Sequence, residues 1–233
     1  MKEPLSMNPR VILFDFDGTL VNTTPLILRS FRATWQKVFG FAMNDADYIK
    51  TFGTLLHTAL KGLTEQCVAD GRIRAVEDLT AKADEMLRIY REFNLEWHDE
   101  AIEPFAGIDE ALHELRARNY RLGIVSSKMR FGVERGLNVF AMAELFDVII
   151  AADDVVNHKP HPEPLLKALE KFDVQPHEAI YVGDSIHDIA AGRAAQIATA
   201  AAAWGPFPRM ELEAWQPDHL LDEPRELLRL LGK

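Results

Sequence analysis

Asp15 and Asp17 stand two residues apart in Phe14-Asp-Phe-Asp-Gly-Thr-Leu20, directly behind the apolar run Val11-Ile12-Leu13. Burying carboxylates at a strand end costs on the order of several kcal/mol unless a partner offsets it. Either a cation sits beside them or they are solvated. Three further groups follow other apolar runs: Ser126, Ser127 and Lys128 in LGIVSSK, Lys159 in HKPHPEP, and Asp184 with Asp188 in IYVGDSIHD. Singly, Ser126 reads as a helix cap, Lys159 as a surface lysine and Asp184 as a helix N-terminal acid. Four consecutive strand ends carrying three acids, a hydroxyl and a lysine have no such ordinary explanation together.

The elements that must position them are visible as apolar runs at 11–14, 122–125, 148–150, 180–182 and, more weakly, 197–203. Continuous rather than alternating apolar character marks strands buried on both faces. Amphipathic patterns separate them: Ile108, Ala111, Leu112 and Leu115 on one helix, and Leu165, Leu166, Leu169 and Phe172 on another entered through Pro162 and Pro164. This alternation predicts an α/β fold with a Rossmann-like, doubly wound parallel sheet, in which ligands bind at the carboxyl ends of the strands.

The first interval breaks the rhythm. About a hundred residues separate the first two strands, far more than one crossover needs. A helix is expected from Thr24-Pro25 to Gly40, with Ile27, Phe31, Trp35 and Val38 as its stripe. A second runs through Val76, Leu79, Ala83, Leu87 and Tyr90. The expected organisation is therefore a catalytic core of 1–20 and 100–233, with 21–99 an inserted helical cap joined by two crossings that allow a hinge.

Composition narrows the partners. At 233 residues, with 48% apolar and 27% charged, this is a globular chain. A formal net charge of −10 argues against nucleic acid or an anionic membrane. Arg116, Arg118 and Arg121 read as a solvated basic face. Cys67 is the sole cysteine, so an internal disulfide is excluded and a reducing compartment fits. MKEPLSMNPR and the run behind it are too short and interrupted for a signal peptide or a span, so a cytoplasmic location is expected. The expected assembly is a monomer or a weak dimer.

The motifs DFDGTLV, Ser126, Lys159 and GDSIHD resemble, in order and placement, the four motifs of the haloacid dehalogenase-like superfamily of aspartate-nucleophile phosphohydrolases. The insertion is similar to the helical cap of the subfamily holding phosphoglycolate phosphatases and β-phosphoglucomutases. The resemblance implies a small phosphorylated substrate and Mg²⁺, a hard cation that takes a few carboxylates. The ligands it implies are Asp15, the backbone carbonyl of Asp17, Asp184, and Asp188 directly or through water. It implies Asp15 as nucleophile, Asp17 as acid and base, and Ser126, Ser127, Lys159 and Gly18 around the phosphoryl group. Thr19 is expected to stabilise the turn.

YREFNLEWHDE, VSSK and DDVVNHKPHPEPLLKAL are further similar to bacterial inorganic pyrophosphatases of this superfamily, those associated with HPr kinase/phosphorylase. That implies pyrophosphate as substrate, with phosphoglycolate or another small phosphomonoester second. A β-phosphoglucomutase-like phosphomutase and a non-catalytic binding module rank below these. In the insertion, Gly53, Thr54 and His57 are candidates for choosing the substrate. His98-Asp-Glu100 reads as solvated, His158 and His161 as loop, and Trp204-Gly205 as packing or a turn.

Overall fold

In the computed structural model, residues 9–231 are described. They form two compact units, one from both ends of the chain and one from residues 23–102. The first is a six-stranded sheet, parallel throughout, in the order β5-β4-β1-β6-β7-β8, with a two-residue ladder β2-β3 beside it. The strands are β1 (Val11–Phe14), β2 (Val21–Asn22), β3 (Glu103–Pro104), β4 (Arg121–Val125), β5 (Val148–Ile150), β6 (Ala179–Gly183), β7 (Ala198–Ala202) and β8 (His219–Leu221). Every residue of β1 and β6 is buried, as helices on both faces of a parallel sheet require.

The helices are α1 (Thr24–Phe39), α2 (Asp45–Ile49), α3 (Leu56–Ala69), α4 (Leu79–Trp97), α5 (Ile108–Ala117), α6 (Arg130–Val139), α7 (Glu163–Phe172), α8 (Ile186–Ala194), α9 (Arg209–Ala214) and α10 (Arg225–Leu230). The first four make up the 23–102 unit, whose interior gathers Phe31, Trp35, Tyr48, Leu60, Leu63, Cys67, Met86 and Tyr90. Gly40, with φ 79°, ends α1 as expected.

Register brings the motif residues level. Phe14 pairs with Ile124 on one side and Val182 on the other. Asp15, Ser126 and Asp184 therefore leave three adjacent strands at the same edge. The chain also builds outward from β1 through β4 to β5 and then returns to β6 on the far side. Thus Asp15 stands at the topological switch point, where open α/β sheets bind ligands.

Several expectations are corrected. The changeovers between units fall after Asn22 and Ile102 rather than after 20 and 99, because residues 21–22 and 103–104 pair with one another and stay with the sheet. A sixth strand, β8, is too short to carry a periodic signal. Leu166 is 46% exposed; the buried stripe of α7 is Leu165, Ala168, Leu169 and Phe172. Val76 lies ahead of α4. The three arginines are not merely solvated: Arg116 pairs with Asp147, Arg118 donates to the Leu228 carbonyl and Arg121 to the Phe172 carbonyl.

Candidate active site

At the carboxyl edge of the sheet, Asp15, Asp184 and Asp188 are all buried, with carboxylate oxygens within 4.8 Å of one another. Lys159 enters from the loop after β5 and is the buried cation among them. Its Nζ lies 3.1 Å from Asp15 Oδ2 and 2.6 Å from Asp188 Oδ1. It also donates to the Tyr181 hydroxyl at 3.0 Å.

Asp188 sits in the first turn of α8 and is fully engaged. Its Oδ1 takes Lys159 and Tyr181, and its Oδ2 takes the backbone N–H and hydroxyl of Ser185 at 3.0 and 2.5 Å. Ser185 is the N-cap of α8 and returns a bond to the Asp188 N–H, so one capping box fixes the acid. Asp184 accepts from the Thr19 hydroxyl at 3.0 Å. Asp15 accepts the Phe16 N–H at 2.7 Å.

Charge balance is the salient property. Burial pushes Asp15 up to about 7; Lys159 opposes this, while Asp188 and Asp17 reinforce it. Burial, then Asp188 and Asp15, raises Asp184 well above the usual carboxylate range. Burial would raise Asp188 too, but Lys159 and the hydrogen bonds outweigh it and hold it low. Lys159 is raised, its desolvation overcome by Asp15 and Asp188. Three buried acids thus face one buried lysine, and Asp15 and Asp184 carry the shortfall. An all-oxygen donor set short of positive charge suits a hard divalent cation such as Mg²⁺.

Asp17 is outside this group. Its side chain is 26% exposed and pairs with Lys128, Nζ to Oδ1 at 2.9 Å. Between the two acids and Asp184 the backbone is tightly fitted. Gly18 has φ +78°, and a Cβ there would fall 2.5 Å from Asp184 Oδ2. Only glycine satisfies both the left-handed turn and that approach. Its N–H donates to the Val21 carbonyl at 2.9 Å, so it closes the turn. Ser126 is buried beside Asp15's strand end and accepts the Lys128 N–H at 3.3 Å; Ser127 is half-buried next to it.

For four contributors the partner was not legible in the sequence. Lys128 was visible beside Ser126 and Ser127, but nothing local aimed it at Asp17. Tyr181 looks like one more apolar strand residue in Ile-Tyr-Val. Trp204, read as packing, donates its indole N–H to the Thr19 carbonyl at 2.9 Å. At Gly205 a Cβ would meet the Gly18 carbonyl at 2.8 Å and Asp184 Cβ at 2.7 Å. In the insertion, Thr54 donates to the Thr51 carbonyl and His57 meets Asp84 at 3.2 Å. His98 is buried and bonded to Asp99, which corrects the solvated reading for that residue alone; Asp99 and Glu100 are exposed as expected, Glu100 pairing with Arg29.

A parallel α/β core with an acid cluster, a lysine and a hydroxyl at its switch point is an arrangement suited to binding a cation and an anionic ligand. The chain belongs to the haloacid dehalogenase-like hydrolase family, whose model matches residues 12–202. It is 40% identical to pyrophosphatase PpaX of Bacillus cereus strain B4264 across 97% of this chain and 98% of that protein. The Bacillus mycoides strain KBAB4 pyrophosphatase PpaX is 38% identical, over 97% and 99%. A candidate phosphoglycolate phosphatase of Lactobacillus plantarum superposes with a TM-score of 0.82 and 30% identity, covering 96% of this chain and all of that one. A candidate haloacid dehalogenase-like hydrolase from Bacteroides fragilis gives 0.84 at 26% identity, over 94% and 99%. Among the described residues no helix is long and apolar enough to cross a membrane.

Proposed function

We propose that the chain hydrolyses inorganic pyrophosphate with Mg²⁺ bound, through an aspartyl phosphate on Asp15. The observation that carries the chemistry is the buried, charge-deficient pair Asp15 and Asp184, with Lys159 3.1 Å from Asp15. Asp15, Asp184 and the Asp17 carbonyl would hold the ion, which when bound screens the nucleophile from its anionic substrate and polarises phosphoryl oxygens. Asp188 already has both oxygens in hydrogen bonds, so its part is to hold Lys159 and the start of α8.

With the ion in place, the ionised Asp15 carboxylate attacks phosphorus as the phosphorus–oxygen bond to the leaving group breaks. Lys159 and the Ser126 hydroxyl receive charge on the equatorial oxygens. Asp17 lies apart from the acid cluster and so is placed to give a proton to the leaving oxygen. In the second step it takes a proton from the water that splits the aspartyl phosphate, releasing phosphate and restoring Asp15. Residues 23–102 carry no part of this set, and the selection of substrate is assigned to them.

Pyrophosphate as substrate rests on the 40% identity to a pyrophosphatase along almost the whole chain. The second reading, phosphoglycolate hydrolysis, is favoured by the 30% identical Lactobacillus plantarum structure. Asp17→Asn separates them. Phosphate is a weakly basic leaving group, so the variant should phosphorylate rapidly from pyrophosphate and stall, giving a burst of about one phosphate per site. Phosphoglycolate leaves as an alkoxide, and its first step should slow on the order of 10²–10⁴-fold with no burst. Wild-type enzyme should have the larger kcat/KM with pyrophosphate. A preference for phosphoglycolate, or the same variant kinetics with both, would end the pyrophosphatase assignment and leave the phosphohydrolase one standing.

A further inference from the structure

Helix α6 has two glycines one turn apart, Gly132 in its first turn and Gly136 in its interior. An interior glycine costs a helix about 1 kcal/mol relative to alanine, so Gly136 calls for a packing reason. A Cβ on Gly136 would lie 2.5 Å from Cζ of Phe16, the buried residue between the two motif acids. At Gly132, a Cβ would lie 2.8 Å from Cε of Lys128. The same helix face therefore makes room for the ring that wedges Asp15-Phe16-Asp17 and for the lysine stem that reaches Asp17.

The lysine is held along its length. Its stem runs over Gly132, its Nζ stands 5.7 Å from the Phe16 ring centroid, and its side chain is 15% exposed. The start of α6 is itself anchored: the Arg130 N–H donates to Asp153, and its guanidinium to Asp154 and the Ile149 carbonyl. At the tip, Nζ meets Asp17 Oδ1 at 2.9 Å and Oδ2 at 3.3 Å. Both carboxylate oxygens face one cation on a fixed mount.

We propose that Lys128 is the positioning residue of Asp17. It holds that carboxylate away from the three buried acids and in a single orientation, from which Asp17 meets the leaving oxygen and then the attacking water. This rests on the reading of Asp17 as the proton-transfer group. A partly exposed acid beside three like charges would otherwise swing toward solvent, and misplacement by about 1 Å already costs on the order of 10²-fold in rate.

The test is a double-mutant cycle on the full chain with Mg²⁺ and pyrophosphate, measuring kcat, KM and the pre-steady-state burst. Lys128→Met keeps the stem and removes the cation. It should lower kcat about 10–10²-fold, within the range set by general acid–base catalysis, while KM moves less than about threefold by the same mechanism. Lys128→Arg, which keeps the charge, should recover part of the loss. Gly132→Ala leaves the lysine in place but displaces its stem, and should give a smaller fall in kcat in the same direction. In an Asp17→Asn background, Lys128→Met should change the slow turnover by less than about twofold, because its target is gone.

An equal loss in wild-type and Asp17→Asn backgrounds would show that Lys128 acts independently of Asp17 and would overturn the proposal. So would an effect confined to KM, which marks direct substrate contact. Asp17→Asn enzyme as active as wild type would instead remove the role of Asp17, and the proposal with it.

Discussion

Inside the 23–102 unit, Phe31 stacks on Tyr48 at 4.9 Å and meets Trp35 and Tyr90 edge or tilted. The hydroxyls buried there are largely turned inward on their own helices: Ser30 to the Leu26 carbonyl, Thr34 to Ser30 and Thr64 to Leu60. The sheet unit buries Asp15, Asp184, Asp188 and Lys159. One interior is organised around apolar and aromatic surface, whose removal from water drives folding. The other keeps charge out of water at a cost that packing elsewhere must offset. Stability and chemistry are thus separated along the chain, and substitutions in the two interiors should have opposite signatures.

The largest effect is expected at Asp15. Asp15→Asn removes the proposed nucleophile, and turnover should fall at least about 10⁴-fold, or roughly 5 kcal/mol of barrier. Because the ionised carboxylate is disfavoured at this site, the same change should leave the metal-free protein as stable as wild type or more so near pH 8. Phosphate release above a few per cent of wild type, or a clear drop in denaturant midpoint, would contradict the comparison.

Phe31→Ala should behave in the opposite way. Removing a buried ring from an aromatic cluster costs about 3–5 kcal/mol, read as a lower midpoint in urea. Turnover per folded molecule should change less than about tenfold by the scale of direct catalytic losses, since the acids and Lys159 lie in the other unit. A variant that keeps its stability but loses chemistry would break the separation.

The pH dependence sharpens it further. Asp15 is raised from 3.8 to about 7, so between those values the folded state holds a proton that the unfolded chain has released. The metal-free protein should lose stability as pH rises from about 4 to about 7, by up to about 1.4 kcal/mol per pH unit for one group. Asp184, raised in the same direction, adds to the slope. Mg²⁺ competes with those protons, so its stabilisation should be greater at pH 8 than at pH 5.5. Melting scans with Mg²⁺ or chelator at both pH values test this; equal shifts would refute it, and activity in chelator with metal absent would return a metal-free mechanism.

The smallest effect belongs to the surface. Arg32 holds Asp45 at 2.7 Å with both side chains nearly half exposed. Arg32→Ala should cost less than about 1 kcal/mol and leave kcat unchanged. A loss comparable to that of Phe31→Ala would mean that charge, too, organises the helical unit.

Much of this was determined by the linear sequence. Continuous apolar runs ending in Asp15, Ser126 and Asp184 specify parallel strands whose ends carry the chemistry, because a strand buried on both faces leaves its polar residues only the ends. The long interval after the first strand, rich in helical periodicity, specifies an insertion, since a crossover needs far less chain. Motif spacing placed Asp188 one turn after Asp184, where a capping box then fixes it.

Tertiary structure alone decided the partners. Lys159 and Asp188 are 29 residues apart and Lys128 and Asp17 are 111 apart; no local pattern encodes which acid each lysine meets. Tyr181 turns a polar tip into the acid cluster from a strand that reads as wholly apolar. Trp204 and Gly205 close the floor of the Asp17-Gly18 turn from the far end of the chain. Periodicity records which side of an element is buried, whereas the identity of the buried neighbour follows from sheet order and close packing.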